Sequence, residues 1–338
     1  VCTFLCCKTN LKNNMLLVLT SIAVTYFIIE GLKDKYFILF SVFLIIYLLV
    51  LGGNSMIMYL VRTDCRLNSP MYYFLDNLSF CDMIYTTVTI PNMLSGFLVE
   101  VKTISKTGCL VQMYVFLSMS VTGRALLTVM AFDRYLAICH PLRYTSVMTR
   151  KVCFLLIFLA WFFGWILPLP SLILAVPLPF CGPNIVKHIF CDHSSLVSLA
   201  CTNTTNNNLI SLIFALYGLI GTFLLILASY ISIGKTIIRM GSAEQLKAFG
   251  TCGSHLIVVC ISYVSASCVY ISYRVTMFDS EVRLVFVVLY SVLTPLLNPF
   301  IYSLRNKELQ DAFKRAFSRC NTVSHTSNCV RKAVPSIS

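Results

Sequence analysis

Apolar residues crowd into seven long stretches, at about 36–61, 71–97, 109–138, 152–173, 207–233, 248–273 and 284–303. Short polar segments separate them. A helix crosses a hydrocarbon layer with roughly 20 mostly apolar residues, so each stretch predicts one spanning helix. The connections are too short for a second large domain. Only the one at 174–206 is long, and it is rich in Pro, Cys, Asn and Thr. Beyond the seventh stretch, Leu309, Ala312, Phe313, Ala316 and Phe317 recur at i, i+3, i+4 spacing with charges between them. That pattern predicts a short amphipathic helix over 306–318 lying on the membrane surface; a disordered basic tail is the alternative. From about 321 onward the composition predicts disorder.

Composition agrees with a bilayer protein. The chain is 58% hydrophobic and 12% charged, whereas soluble domains carry about 25% charged residues. The net charge of +13 raises nucleic acid as a partner. The basic residues, however, are scattered among the short connections, with no basic, aromatic-interleaved surface segment, so no nucleic-acid partner is expected. Their distribution sets orientation. Segments 62–69, 139–151, 234–247 and 304–319 hold thirteen Lys and Arg, while 98–108, 174–206 and 274–283 hold five. The positive-inside rule places the first set in the cytoplasm. The expected layout is an extracellular N-terminus at 1–35, a bundle at 36–303 and a cytoplasmic tail at 304–338.

The run at 15–29 is shorter than a span. It reads as a signal-peptide core, an extra helix on the membrane, or the product of an upstream start, with Met15 a candidate initiator. Three cysteines, Cys181, Cys191 and Cys201, cluster in the outer connection, and Cys109 opens the third span on the same side. Outer cysteines pair; four allow three connectivities, and spacing does not choose. Cys81, Cys153, Cys260 and Cys268, inside spans, are expected to be free, lipid-facing or merely packed. Asn203-Thr204-Thr205 is a glycosylation sequon on the outer connection. Asn77-Leu78-Ser79 also fits but lies within a span.

Several polar groups gather at the inner face. "MAFDRYLAICHPLRY" (130–144) ends the third span with Asp133, Arg134 and Tyr135. Arginine keeps its charge and seeks several oxygen acceptors. Asp133 can hold it in one state and release it in another; a snorkelling Arg with a neighbouring counter-ion is the plainer reading. "PLLNPFIYSLRN" (295–306) ends the seventh span. Pro299 removes a backbone hydrogen bond, Asn298 can bridge the freed groups, and Tyr302 follows three residues on. Tyr230 lies near the inner end of the fifth span, and "KAFGTCGSHL" (247–256) opens the sixth. Together they have the layout of a conformational switch rather than of a pore lined from end to end.

These stretches, with Gly53-Asn54 and "PMYYFLDNLSFCD" (70–82), resemble the rhodopsin-like G-protein-coupled receptors and, within them, the olfactory (odorant) receptors. The resemblance covers roughly 24–317. It implies an all-α membrane protein: a seven-transmembrane helix bundle with a short amphipathic eighth helix. It implies a multi-pass receptor of the plasma membrane, not an enzyme, whose partners are a small-molecule odorant, membrane lipid and a heterotrimeric G protein of the stimulatory, olfactory type. Arg134 would engage the G protein, with Asp133 its resting partner, and Tyr230 and Tyr302 would hold the active arrangement. The disulfides would be Cys109–Cys191 and Cys181–Cys201. Tyr263 would sit at the pivot of the sixth helix, beneath the ligand. No cofactor or metal is implied.

The pocket is expected in the outer half, between spans three, five, six and seven. Counting helical turns along span three from Cys109 and Arg134 turns Phe116, Leu117, Ser120 and Val121 inward. Counting from Tyr230, Tyr263 and Pro299 adds Phe214, Gly218, Ala266, Tyr270 and Ser291. This lining is mostly apolar with a few hydroxyls and suits a small, largely neutral organic molecule. The chain departs from the resemblance in three places. Where that family usually has Glu in mid span three, Gly123 stands here, followed by Arg124, a costly residue at this depth. Asp82 is the acid that usually helps to bind sodium. Arg124 is expected to pair with it in place of the ion, or else to snorkel toward a neighbouring helix or lipid. Val264 replaces the usual Gly after the span-six Tyr, and the usual N-terminal sequon is missing. The rival readings are a receptor for a non-odorant small molecule and, from another class, a transporter or channel. A transporter would tend to show repeats or helices broken at the midplane.

Overall fold

The computed structural model describes residues 26–29, 36–99, 102–180, 184–186, 188–274 and 280–321. Its helices are α1 (Tyr36–Thr63), α2 (Pro70–Leu98), α3 (Lys106–Cys139), α4 (Pro141–Val147), α5 (Arg150–Ile166), α6 (Leu169–Ala175), α7 (His193–Val197), α8 (Thr205–Ile237), α9 (Ser242–Arg274), α10 (Ser280–Arg305) and α11 (Lys307–Asn321). Seven spans form the bundle: α1, α2, α3, α5 running on into α6, α8, α9 and α10. Six of them are long and apolar enough to cross a membrane by composition alone. The other, α2, carries Asp76, Asn77 and Asp82 among its apolar residues and packs between α1 and α3. The run at 15–29 falls mostly outside the described residues, as does the segment from 322 onward.

Burial ranks the helices. Half of the apolar window of α3 is buried (50%), against 11% for α8, so α3 is the central post and α8 turns most of its surface outward. Exposed Phe37, Leu48, Phe154, Phe158, Tyr217 and Leu225 belong on a lipid-facing exterior, where apolar side chains face a solvent of their own kind.

Local signals explain the ends and breaks. Ser105 caps α3, its Oγ accepting from the Gly108 amide at 3.0 Å, and Thr149 caps α5 by accepting from the Val152 amide at 3.4 Å. Pro70 and Pro141 occupy first turns, where their missing N–H costs nothing. The fourth span breaks between Ile166 and Leu169, at Pro168.

Small residues allow two close helix approaches. A Cβ on Gly164 would lie 1.8 Å from Thr122 Oγ1, so α5 and α3 meet backbone to side chain. A Cβ on Gly53 would lie 2.9 Å from Pro299 Cβ, which brings α1 against the proline of α10. Pro299 has no N–H to offer the carbonyl of Pro295, one turn earlier. Asn54 supplies it: Nδ2 donates to Pro295 O at 3.3 Å and to Val50 O at 2.9 Å. The bridging expected of Asn298 therefore falls to Asn54, because Asn298 is engaged elsewhere.

Three short strands modify the all-α expectation. β1 (Tyr26–Ile29) lies between β2 (Lys102–Ser105), antiparallel, and β3 (Ile185–Val186), parallel. Phe27 is fully buried and meets Phe180 edge to face at 5.2 Å. Cys109 and Cys191 are disulfide-bonded within the same apolar cluster. Cys201 is also disulfide-bonded, while its expected partner, Cys181, lies outside the described residues. Cys81, Cys153, Cys260 and Cys268 carry free thiols, as expected.

In α11, Leu309 and Ala312 are buried against the bundle, while Phe313 and Phe317 stack at 6.3 Å on an exposed face. Arg315 ties this helix to the α1–α2 turn through Asp64, at 2.7 and 2.9 Å. Burial pushes the Asp64 carboxyl up, but the Arg66 amide and the Arg315 guanidinium outweigh it and hold the group below the usual carboxylate range.

Candidate functional site: a polar cluster and a chamber

The C-terminal end of α3 carries the expected charged pair. Arg134 Nε donates to Asp133 Oδ2 at 2.9 Å, and a second contact joins Nη2 to the same oxygen. Tyr144, on α4, donates to the other carboxylate oxygen at 2.7 Å. Burial, with the Asp133 charge, pushes the Tyr144 phenol up, so it stays protonated and able to donate. Asp133 is fully buried, and Arg134 is largely covered. Tyr135 turns aside and hydrogen-bonds His140 Nε2 at 3.0 Å.

A second tie holds α8 and α9 to α3. His255 Nε2 meets the Leu127 carbonyl at 3.0 Å, and Nδ1 meets the Tyr230 hydroxyl at 2.8 Å. A carbonyl can only accept, so Nε2 carries a proton and donates to it, while the Nδ1–Tyr230 hydrogen bond can run in either direction. The imidazole thus bridges three helices. Midway along the bundle, Asn298 donates to Asp82 Oδ2 at 2.7 Å. Tyr302 is buried in the main core nearby in sequence.

Arg124 does not take the place expected for it. Its Nη1 donates to Ser120 Oγ at 2.8 Å and to Tyr290 Oη at 3.0 Å, and Ser120 and Tyr290 also contact each other. No ion pair within 4.0 Å joins Arg124 to Asp82 among the described residues. Both residues line one small cavity of about 40 Å³. The bridging partner is a phenol one helix away, on α10, rather than the carboxylate on α2.

The larger cavity, about 160 Å³, opens above this level. Phe116, Leu117, Ser120, Val121, Phe214 and Ala266 all line it, as counted from the sequence. Gly218, Tyr263 and Ser291 lie elsewhere. Tyr263 donates to Thr222 at 2.6 Å, Ser291 donates to the Val288 carbonyl at 3.2 Å, and Gly218 is buried within α8. The side chain of Tyr270 lies outside the described residues. Turn counting did not find the rest of the lining. Arg124 and Tyr290 form the inner end, and Asp192, His193, Ser194, Asn208 and Ser211 belong to the outer connection and the start of α8. Burial pushes both His188 and His193 down, more than the nearby Asp192 charge lifts them, so both are neutral near pH 7. The sequon residue Asn203 is exposed.

Architecture and site together define a seven-helix receptor of the rhodopsin type. A solved structure of squid rhodopsin superposes with a TM-score of 0.65 at 18% identity, covering 88% of this chain and 91% of that one. The family model described as "Olfactory receptor" matches residues 43–320. Human olfactory receptor 6N1 is 45% identical over 300 residues, covering 88% of this chain and 96% of that protein. Mouse olfactory receptor 5M5 is 43% identical over 88% of this chain and 94% of its own length. The chain belongs to the olfactory receptor family. It is an odorant-sensing, G-protein-coupled receptor of the plasma membrane, a signalling protein rather than an enzyme.

Proposed function

We propose that a small, mostly apolar organic odorant docks in the 160 Å³ chamber and shifts a two-state equilibrium of the helices. The N-terminus and the chamber face outward, and the C-terminus faces the cytoplasm. In the resting form, Asp133 holds Arg134, and His255 holds the inner halves of α8 and α9 against α3. Ligand binding favours a form in which α9 swings away and Arg134 meets a stimulatory, olfactory-type G protein. Tyr230 and Tyr302 then support the open arrangement, and the proline break at Pro299, with Asn298 beside it, gives α10 room to adjust. The amphipathic face of α11 rests on the inner lipid surface.

The observation that carries this reading is the course of α3. One rigid helix lines the chamber with Ser120 and holds the lock with Arg134, fourteen residues or about 21 Å apart. A movement at one end is therefore delivered to the other. The test is cyclic AMP in cells co-expressing an olfactory-type G protein, with an odorant panel. Ligand-evoked cyclic AMP that Arg134→Ala abolishes at equal surface density supports the reading. A response unchanged by that substitution, or epitope mapping that places 139–151 outside the cell, refutes it. A ligand-evoked current without G protein would indicate a channel instead.

A further inference from the structure

The chamber ends on a permanent cation. Arg124 is 6% exposed, yet it lines both the outer chamber and the smaller cavity beneath it. A guanidinium keeps its charge in any protein setting, and at mid-membrane depth that charge persists only where acceptors or a functional role meet it. The acceptors described for its Nη1 are two hydroxyls, Ser120 and Tyr290, and both also face the chamber. Hydroxyls are donors as well as acceptors, and their protons rotate to suit a partner. The inner end of the chamber therefore presents a guanidinium flanked by two hydroxyls, one donating to the other and the second left to donate to an incoming oxygen. The walls above it are Phe116, Leu117, Val121, Phe214, Val269 and Val287. The one acid in the lining, Asp192, belongs to the opposite end. It sits in the outer connection, its Oδ2 accepting from the Ser194 amide at 3.1 Å, whereas Arg124 lies two helical turns inward of Leu117.

We propose that the receptor's preferred ligand is a small organic acid, bound as its carboxylate on Arg124, Ser120 and Tyr290, with its hydrocarbon tail directed outward along the apolar walls. This names the ligand class for the chamber assigned above and rests on that assignment. Arginine and carboxylate match as a planar fork on a planar pair of oxygens, and a dry, low-dielectric wall strengthens the attraction. A volume of about 160 Å³ favours a short chain over a long one.

The experiment compares pentanoic, hexanoic and octanoic acids with their methyl esters and with the matching alcohols, read as cyclic AMP dose–response in cells. The expected result is an acid potency about tenfold to a hundredfold above that of the matched ester, the range of one charge-assisted hydrogen-bonded contact. Arg124→Met should erase that ratio, while Arg124→Lys should keep part of it. The ratio is taken within each variant, so surface expression cancels. If Arg124→Met does not reach the surface, Arg124→Gln supplies the neutral comparison. Esters or alcohols that match or exceed the acids on the unsubstituted receptor overturn the proposal, as does an acid preference that survives removal of the charge. In both cases ligand-evoked, Arg134-dependent signalling would still stand, which separates this failure from failure of the receptor reading itself.

Discussion

Replacing His255 with Phe tests the inner lock directly. The ring bulk is kept, so little cavity opens, but both hydrogen bonds are lost: Nε2 to the Leu127 carbonyl at 3.0 Å and Nδ1 to the Tyr230 hydroxyl at 2.8 Å. Each such bond contributes about 0.5–1.5 kcal/mol net, so the resting form loses about 1–3 kcal/mol relative to a form in which α9 has moved away. That corresponds to a roughly fivefold to 150-fold change in the equilibrium. If the active form is about 1% of the resting population, a value within the usual range for a minor state, a tenfold shift raises it to about 10%. Ligand-free cyclic AMP should rise accordingly in His255→Phe, measured against receptor density from surface epitope labelling. Adding Arg134→Ala should return it to background. Basal signalling that is unchanged or lower at matched density would show that the imidazole does not restrain α9, and the lock as drawn would be wrong.

Three further outcomes follow from the packing and the outer connection. Gly164→Ala drives a methyl against Thr122 Oγ1. It should cost about 1–3 kcal/mol of stability as overpacking, seen as a lower thermal midpoint in detergent and recovered in part by Thr122→Ala. Cys109→Ser opens a disulfide that spans 82 residues. The loop-entropy relation puts its loss at about 4.5 kcal/mol, so the variant should fail to reach the cell surface in flow cytometry. His188 and His193 titrate below the ordinary histidine value of 6.5 because burial disfavours their charged form. The unfolded connection therefore binds more protons than the folded one once pH falls below about 6.5. The folded connection should be stable at neutral and alkaline pH and should lose protection in hydrogen exchange as pH drops below that point, with His188→Gln weakening the dependence.

The seven spans were legible because crossing a bilayer demands length and apolarity together, and few other folds produce either pattern seven times. The Asp133–Arg134 pair was legible because the two groups are adjacent in sequence. Phe116, Leu117, Ser120 and Val121 all line the larger cavity, since α3 is phased from both ends, at Cys109 and Arg134. Phe214 and Ala266 line it too, whereas Gly218, Tyr263 and Ser291 do not; α8, α9 and α10 each offer a single anchor, and Pro295 and Pro299 disturb the helical phase of α10. Nothing local points to Asn54 as the donor to Pro295, since that contact joins residues 241 positions apart. The strands were missed for the same reason. Four residues and two residues carry no usable alternation, and their pairing depends on chain brought together from far apart. The depth of Arg124 in the sequence marks it as costly, but its direction depends on the position of Tyr290, 166 residues away.

The middle position of β1 limits how the chain can be trimmed. Among the described residues, Tyr26–Ile29 supplies the only backbone that both β2 and β3 pair with, and removing the Phe27 ring alone would cost about 3–5 kcal/mol as a core truncation. A protease that cut after Ile29 would leave two orphaned edges and a hole beside the Cys109–Cys191 bridge. A cleavable tag fused at the N-terminus keeps this pairing only if its scissile bond lies ahead of Tyr26.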